Sequence, residues 1–273
     1  MAGPLLRLAA LAFLVALVAA PSADAQQHVR VKSDGIDLPA QIWRPAAAKA
    51  PAVALFHGCG GVGQNNVRMA ELLKRWGYVA LVVDSFSSRG LKDVCGRHWP
   101  TQADAEKRAL DIDASLRWLN TQSYVTPGQV GLMGYSYGGG VAALRAFAPR
   151  VPARAAILVY PDCALAEPLG PKLSVPQPTL VAMGALDDWT PVAQCQALFD
   201  RIATGRDLLE THVYPNAHHS FDALGLPVRY LDGVGNRSKP GGCCGAHYGA
   251  NEAAWKAFVG DVKAFLGRHL PSG

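Results

Sequence analysis

The sequence predicts an α/β fold: a mostly parallel central sheet of about eight strands with helices on both faces. Three observations predict it. Short continuous apolar runs such as "AVALF" and "VALVV" read as strands buried on both faces. Segments with apolar residues at helical spacing alternate with these runs along most of the chain. No internal repeat and no linker interrupts the alternation, so residues 26–273 read as one domain.

The elements follow in order. Residues 28–43, "HVRVKSDGIDLPAQIW", read as a hairpin whose Ser-Asp-Gly turn separates two alternating stretches, an antiparallel edge of the sheet. "AVALFHG" (52–58) is a buried strand ending in Gly. "NNVRMAELLKRWGY" places Val67, Leu72, Leu73 and Trp76 on a helical face that Gly77 stops. "VALVVDS" (79–85) is the next strand, followed by a loop with Arg89, Cys95 and Trp99. "DAEKRALDIDASLRWLN" carries Ala105, Ala109, Ile112, Leu116 and Leu119 at helical spacing. "QVGLMGY", "RAAILVYP", "TLVAMG" and "LETHVYP" are strands. "YGGGVAALRAFA", "VAQCQALFDRI" and "NEAAWKAFVGDVKAFLGRHL" are helices. Residues 222–249 are Gly-rich and irregular and read as a long loop or cap-like excursion.

Composition bounds the function. Arg7, the apolar run "LAALAFLVALVAA" and the small-residue site Ala23-Asp24-Ala25 read as a secretory signal peptide over residues 1–25. The mature chain is then secreted or periplasmic, with no segment that spans a membrane. Its removal takes one Arg and one Asp, so the formal net charge stays +5. No block of Lys and Arg accompanies that charge, so nucleic-acid binding is not expected. The six cysteines all follow residue 25, and export makes bridges the expectation. Their connectivity is open from spacing alone.

In a mostly parallel sheet, sites form at the carboxyl ends of the strands. Polar groups just after each strand are therefore the candidates. "VGLM" runs into Gly134-Tyr135-Ser136-Tyr137-Gly138, a strand–turn–helix with a serine at its apex. "TLVAM" is followed by Gly184-Ala185-Leu186-Asp187-Asp188. One carboxylate fits a catalytic acid, and the other fits a helix cap or solvent. "LETHVYP" is followed by His218 and His219, where an imidazole can reach the serine. Serine needs a base to take its proton, and that base needs a carboxylate to fix its tautomer. Backbone N–H groups must also meet the developing oxyanion. Tyr137 is expected to supply one, and Cys59 in "His57-Gly58-Cys59-Gly60-Gly61" the other, with Gly60 the alternative. His57 is expected to brace that loop. No cofactor and no metal is expected.

With these motifs the chain resembles the dienelactone hydrolase branch of the α/β-hydrolases, over about residues 28–270. The resemblance rests on "LFHGCGG", "GYVALVVDSFSSRG", "VGLMGYSYGGG", "MGALDDWTP" and "YPNAHHSFD". It implies Ser136 as nucleophile, Asp187 as acid and His219 as base. It also implies bridges Cys59–Cys95 and Cys163–Cys195 around the active site, leaving Cys243 and Cys244 to pair. Founding members carry cysteine where Ser136 stands, so the reaction class carries over and the dienelactone substrate does not.

The function so implied is a serine hydrolase that cleaves a small-molecule carboxylic ester or lactone through an acyl-enzyme. A peptidase or polyester hydrolase would use the same residues. A non-catalytic binding protein of this fold would show a broken triad or a blocked oxyanion loop. Arg89, Arg97 and Trp99 are further candidates for meeting an anionic or aromatic substrate, against an ordinary structural role. Oligomeric state is not legible.

Overall fold

The computed structural model describes residues 26–272, apart from 97–99 and 237. The signal-peptide reading, Arg97 and Trp99 lie outside the described residues. Strand β1 (Gln27–Ser33) pairs antiparallel with β2 (Ile36–Trp43). Asp34 and Gly35 close the hairpin, both with positive φ (44° and 79°). A two-residue turn of that kind matches the twist of the strands.

Chain order then alternates strand and helix. It runs β3 (Ala50–Phe56), α1 (Gln64–Arg75), β4 (Val79–Val83), α2 (Gln102–Asn120), β5 (Val125–Tyr135) and α3 (Tyr137–Phe147). Next come β6 (Ala156–Val159), the short β7 (Leu173–Ser174), β8 (Thr179–Gly184) and α4 (Val192–Phe199). The chain ends with β9 (Ile202–Thr204), β10 (Leu209–Tyr214), β11 (Arg229–Leu231), β12 (Ala246–Tyr248) and α5 (Glu252–His269). Eight strands form one sheet in the order β1-β2-β4-β3-β5-β6-β8-β10. It is parallel from β4 to β10 and antiparallel at the β1–β2–β4 edge.

Alternate residues of the buried strands serve opposite faces. On β3, Ala52, Ala54 and Phe56 join one cluster with Ile112 and Leu116 of α2, Val141 of α3 and Leu198 of α4. Val53 and Leu55 join the other, with Met69 and Leu73 of α1 and Phe258 and Phe265 of α5. This double burial explains the continuous apolar runs. In α1 the buried apolar face is Met69, Ala70 and Leu73, whereas Val67, Leu72 and Trp76 are only partly buried. Trp76 caps that helix rather than belonging to it.

Two expectations are corrected. "VAQCQALFDRI" is helical only to Phe199, and Ile202 begins β9, which pairs with β7. Residues 222–249 are not one irregular loop, because β11 and β12 pair antiparallel within them.

The disulfides are Cys59–Cys95, Cys163–Cys195 and the vicinal Cys243–Cys244. Cys163–Cys195 is buried in the core and joins the turn after β6 to α4. It therefore contributes through the unfolded chain. The bridge closes a loop of sequence separation 32, so replacing both Cys163 and Cys195 by Ala is expected to lower unfolding free energy by about 4 kcal/mol. Urea unfolding measures that loss, and ester cleavage should persist at low denaturant.

Candidate active site

Strand order reverses between β3 and β5, since β4 lies on one side of β3 and β5 on the other. Crevices form at such a point, beyond the carboxyl ends of the strands. Ser136 stands there, at the end of β5, with φ 53° and ψ −120°. A non-glycine residue held there costs about 1–3 kcal/mol, so its surroundings must impose it. Ser136 N–H donates to Val159 O (2.9 Å), and Gly140 and Asp162 N–H donate to Ser136 O (2.9 and 3.1 Å). Gly138 lets α3 approach the loop after β3, because a Cβ there would strike the carbonyl oxygen of His57.

The loops after β8 and β10 bring Asp187 and His219 to this serine. Ser136 Oγ–H donates to His219 Nε2 (2.8 Å), and His219 Nδ1–H donates to Asp187 Oδ2 (2.8 Å). The carboxylate is itself held. Trp189 and Thr190 N–H each donate to its Oδ1 (2.9 Å), and Thr190 Oγ1 lies 3.0 Å from Oδ2. Thr190 Oγ1 also lies 3.0 Å from Tyr160 O. The rings of Tyr160 and Trp189 flank the imidazole at 4.7 and 4.9 Å. All three members of the chain are buried, with Ser136 only 4% exposed. Such a chain lets the imidazole take the serine proton while the carboxylate stabilises the resulting cation.

The adjacent Asp188 and His218 do other things. Asp188 accepts from His247 N–H and Nδ1–H (both 2.8 Å), and its carbonyl accepts from Asn236 Nδ2 and Ser238 Oγ. It thus anchors the β11–β12 excursion and caps no helix; Pro191 precedes α4. The His218 ring lies tilted against that of His247, with centroids 5.5 Å apart.

Cys59 and Gly60 line a cleft of about 270 Å³ together with Ser136, Tyr160, Trp189, His219, Leu231 and Tyr248. Tyr137 is the first residue of α3, so its N–H has no acceptor within the helix. Behind this cleft, His57 is fully buried. Ser85 N–H donates to its Nε2 (3.2 Å), and its Nδ1–H donates to Gly58 O (2.7 Å). Burial first, then the Arg108 charge, pushes its pKa down to about 3. The ring is neutral and bridges two loops; it is not placed against Ser136.

That depression links to stability. Below the free-histidine value near 6.5, the unfolded chain takes a proton that the folded chain refuses. The contribution of His57 is therefore complete above pH 6.5 and is lost as pH falls toward about 3. Between pH 7 and 5 it should remove about 2 kcal/mol. Urea unfolding at the two pH values should show this loss in the wild type and not in His57→Gln.

Arg89 is not free for a substrate anion. Its guanidinium holds Asp111 in a fork (2.8 and 2.9 Å) and donates to Ser85 O (2.5 Å). Sequence reasoning missed Tyr160, although it follows a strand end in "ILVYP", where the strand-end rule finds it. It missed Asp222, which is buried and accepts from Tyr160 OH (2.7 Å) and Asn65 Nδ2 (3.1 Å). Burial raises the pKa of that carboxyl.

The comparisons with known proteins follow the same line. The model of the dienelactone hydrolase family matches residues 38–269. A carboxymethylenebutenolidase of Pseudomonas putida is 27% identical over 199 residues, covering 69% of this chain and 82% of that protein. The crystal structure of dienelactone hydrolase from Anabaena variabilis superposes with a TM-score of 0.64 at 20% identity, covering 90% of this chain and 98% of that one. Thermogutta terrifontis esterase 2, phosphoramylated by tabun, superposes with a TM-score of 0.62 at 20% identity, covering 93% and 98%. The family match spans the sheet from Leu38 of β2 onward, the serine turn and the loops bearing Asp187 and His219. The protein is a carboxylic ester or lactone hydrolase, and the chain belongs to the dienelactone hydrolase family.

Proposed function

We propose that the chain hydrolyses a small carboxylic ester or lactone through an acyl-enzyme on Ser136. The observation that carries this is the unbroken hydrogen-bond chain Ser136–His219–Asp187, with both links at 2.8 Å. His219 takes the hydroxyl proton as Oγ attacks the carbonyl carbon. The carbonyl oxygen becomes an oxyanion that the N–H groups of Cys59 and Tyr137 receive. As the tetrahedral intermediate collapses, imidazolium returns its proton to the leaving alkoxide. For a lactone the alcohol stays tethered to the acyl group. Water then attacks the acyl-enzyme, with His219 again as base, and releases the acid and free Ser136. Asp187 stays ionised and holds the proton of His219 on Nδ1.

The cleft walls favour a compact substrate. Trp189, Tyr160, Tyr248 and Leu231 surround a volume of about 270 Å³. Export is part of the same reading. The charged start, apolar run and small-residue site of residues 1–25 support it, and disulfides among the described residues suit an oxidising compartment. Among the described residues no helix is long and apolar enough to cross a membrane.

Incubation with a fluorophosphonate probe tests the nucleophile. The folded wild type should become covalently labelled on the peptide that contains Ser136, with loss of ester cleavage. A folded, unlabelled and inactive wild type overturns the proposal.

A further inference from the structure

Arg108 of α2 is a cation that the proposed reaction does not use directly. It is buried, at 3% exposed. Isolated buried charge is costly, by several kcal/mol, unless something compensates it. Among the described residues no carboxylate pairs with it. Asp111, one turn along α2, is held by Arg89, and Asp113 by Arg145. Among the described residues its Nε and Nη1 have no hydrogen-bond partner. What it does touch is specific. Nη2 donates to the backbone carbonyl of His57. The guanidinium lies over the rings of Phe86 (5.1 Å) and Tyr137 (4.8 Å).

These contacts converge on the two segments proposed to hold the oxyanion. Tyr137 is the residue whose N–H is one donor. His57 leads to the other, because its Nδ1–H donates to Gly58 O (2.7 Å). Gly58 O and Cys59 N–H belong to one peptide group. A hydrogen bond accepted by that oxygen polarises that N–H and fixes its direction, and chains of such bonds reinforce one another. Gly58 O at Nδ1 and the Ser85 N–H at Nε2 set the ring proton on Nδ1. Arg108, which holds the His57 carbonyl and lies 3.2 Å from Nδ1, adds to the burial that keeps the ring neutral. Salt in solvent screens a buried charge little.

We infer that Arg108 is a positioning residue for the oxyanion hole: through His57 it aligns and polarises the Cys59 N–H, and through the Tyr137 ring it steadies the second donor. The inference rests on the serine-hydrolase reading above.

The test uses the full mature chain with its disulfides formed. Arg108→Met and Arg108→Lys are compared with wild type on a p-nitrophenyl ester, with near-UV circular dichroism to confirm the fold. Loss of one oxyanion donor costs about 100- to 1,000-fold in kcat. Misdirecting one rather than deleting it should cost Arg108→Met about 10- to 100-fold in kcat, with KM within twofold. Arg108→Lys keeps a charge and a donor, and should recover part of that loss. A boronic acid that forms a tetrahedral adduct should bind the Met variant more weakly by a similar factor. A purely packing role would lower the unfolding midpoint and leave kcat and boronate affinity alone. If the Met variant does not fold, the Lys variant decides, with an expected kcat loss of at least threefold. Active wild type with unchanged kcat in a folded variant overturns this inference alone; inactive wild type overturns the serine-hydrolase reading.

Discussion

Ser136→Ala is expected to remove about five to six orders of magnitude of kcat on p-nitrophenyl esters, the scale set by deleting a serine nucleophile in a comparable triad. The physical reason is that, among the described residues, Ser136 Oγ is the hydroxyl bonded to His219 Nε2. Thr190 Oγ1 lies 3.1 Å from the ring, but from Nδ1, on the carboxylate side. Ser220 lines the cleft, with positive φ (57°). Without Ser136 Oγ there is no acyl-enzyme, and only binding and the oxyanion donors can assist attack by water. The same change should abolish fluorophosphonate labelling. Stability should move little. Alanine keeps the strained φ of 53°, because the bonds that impose it are made by backbone atoms of Ser136. The mutant loses one hydrogen bond of the class that contributes about 1 kcal/mol. Activity within tenfold of wild type would place the nucleophile elsewhere.

The parts of this molecule that sequence exposes are those where one physical demand dominates. A strand buried on both faces must be apolar throughout, so "AVALF" and "VALVV" are legible without a structure. The sharp turn after β5 needs glycine at 138, where α3 meets the His57 carbonyl, and at 134, where a Cβ would strike the Gly138 carbonyl, so the two glycines flanking Ser136 stand out. His219, Asp187 and Ser136 each follow a strand end, and the sheet order converts that into proximity. The bridges followed from the family likeness rather than from spacing. Cys59–Cys95 lines the serine cleft, and Cys163–Cys195 pairs behind it, next to Asp162, whose N–H donates to the Ser136 carbonyl.

The rest was hidden for equally physical reasons. Helix α2 shows one apolar stripe, yet Arg108, Asp111, Asp113 and Ser115 are buried too. Their charges are matched by residues far along the chain, Arg89 and Arg145, or by a carbonyl and two rings. Period alone cannot announce such partners. Strands β11 and β12 are three residues each, too short for alternation to mark them. What holds them is a set of side-chain bonds to the segment after Asp187. Asn236 and Ser238 donate to Asp188 O, and Trp189 Nε1–H donates to Gly235 O (2.8 Å).

That arrangement makes the adjacent aspartates a sharp contrast. Asp187→Asn should cost about 10,000-fold in kcat, the scale of the same change in a Ser-His-Asp triad. Trp189 and Thr190 N–H donate to Oδ1, so the asparagine oxygen will sit there. Its NH2 group then faces His219 Nδ1 and can only donate. The imidazole must carry its proton on Nε2, where it can no longer accept from Ser136. Asp188→Asn should behave otherwise. Asp188 and His247 are both substantially exposed, at 38% and 46% of their side chains. Pairs of that kind contribute at most about 1 kcal/mol, equivalent to about fivefold in an equilibrium. The loss falls on the excursion, whose Leu231 and Tyr248 line the cleft, so KM should rise up to about fivefold while kcat holds. Steady-state kinetics on the two variants separate the roles. A larger kcat loss from Asp188→Asn than from Asp187→Asn would move the acid by one residue and break the chain through His219.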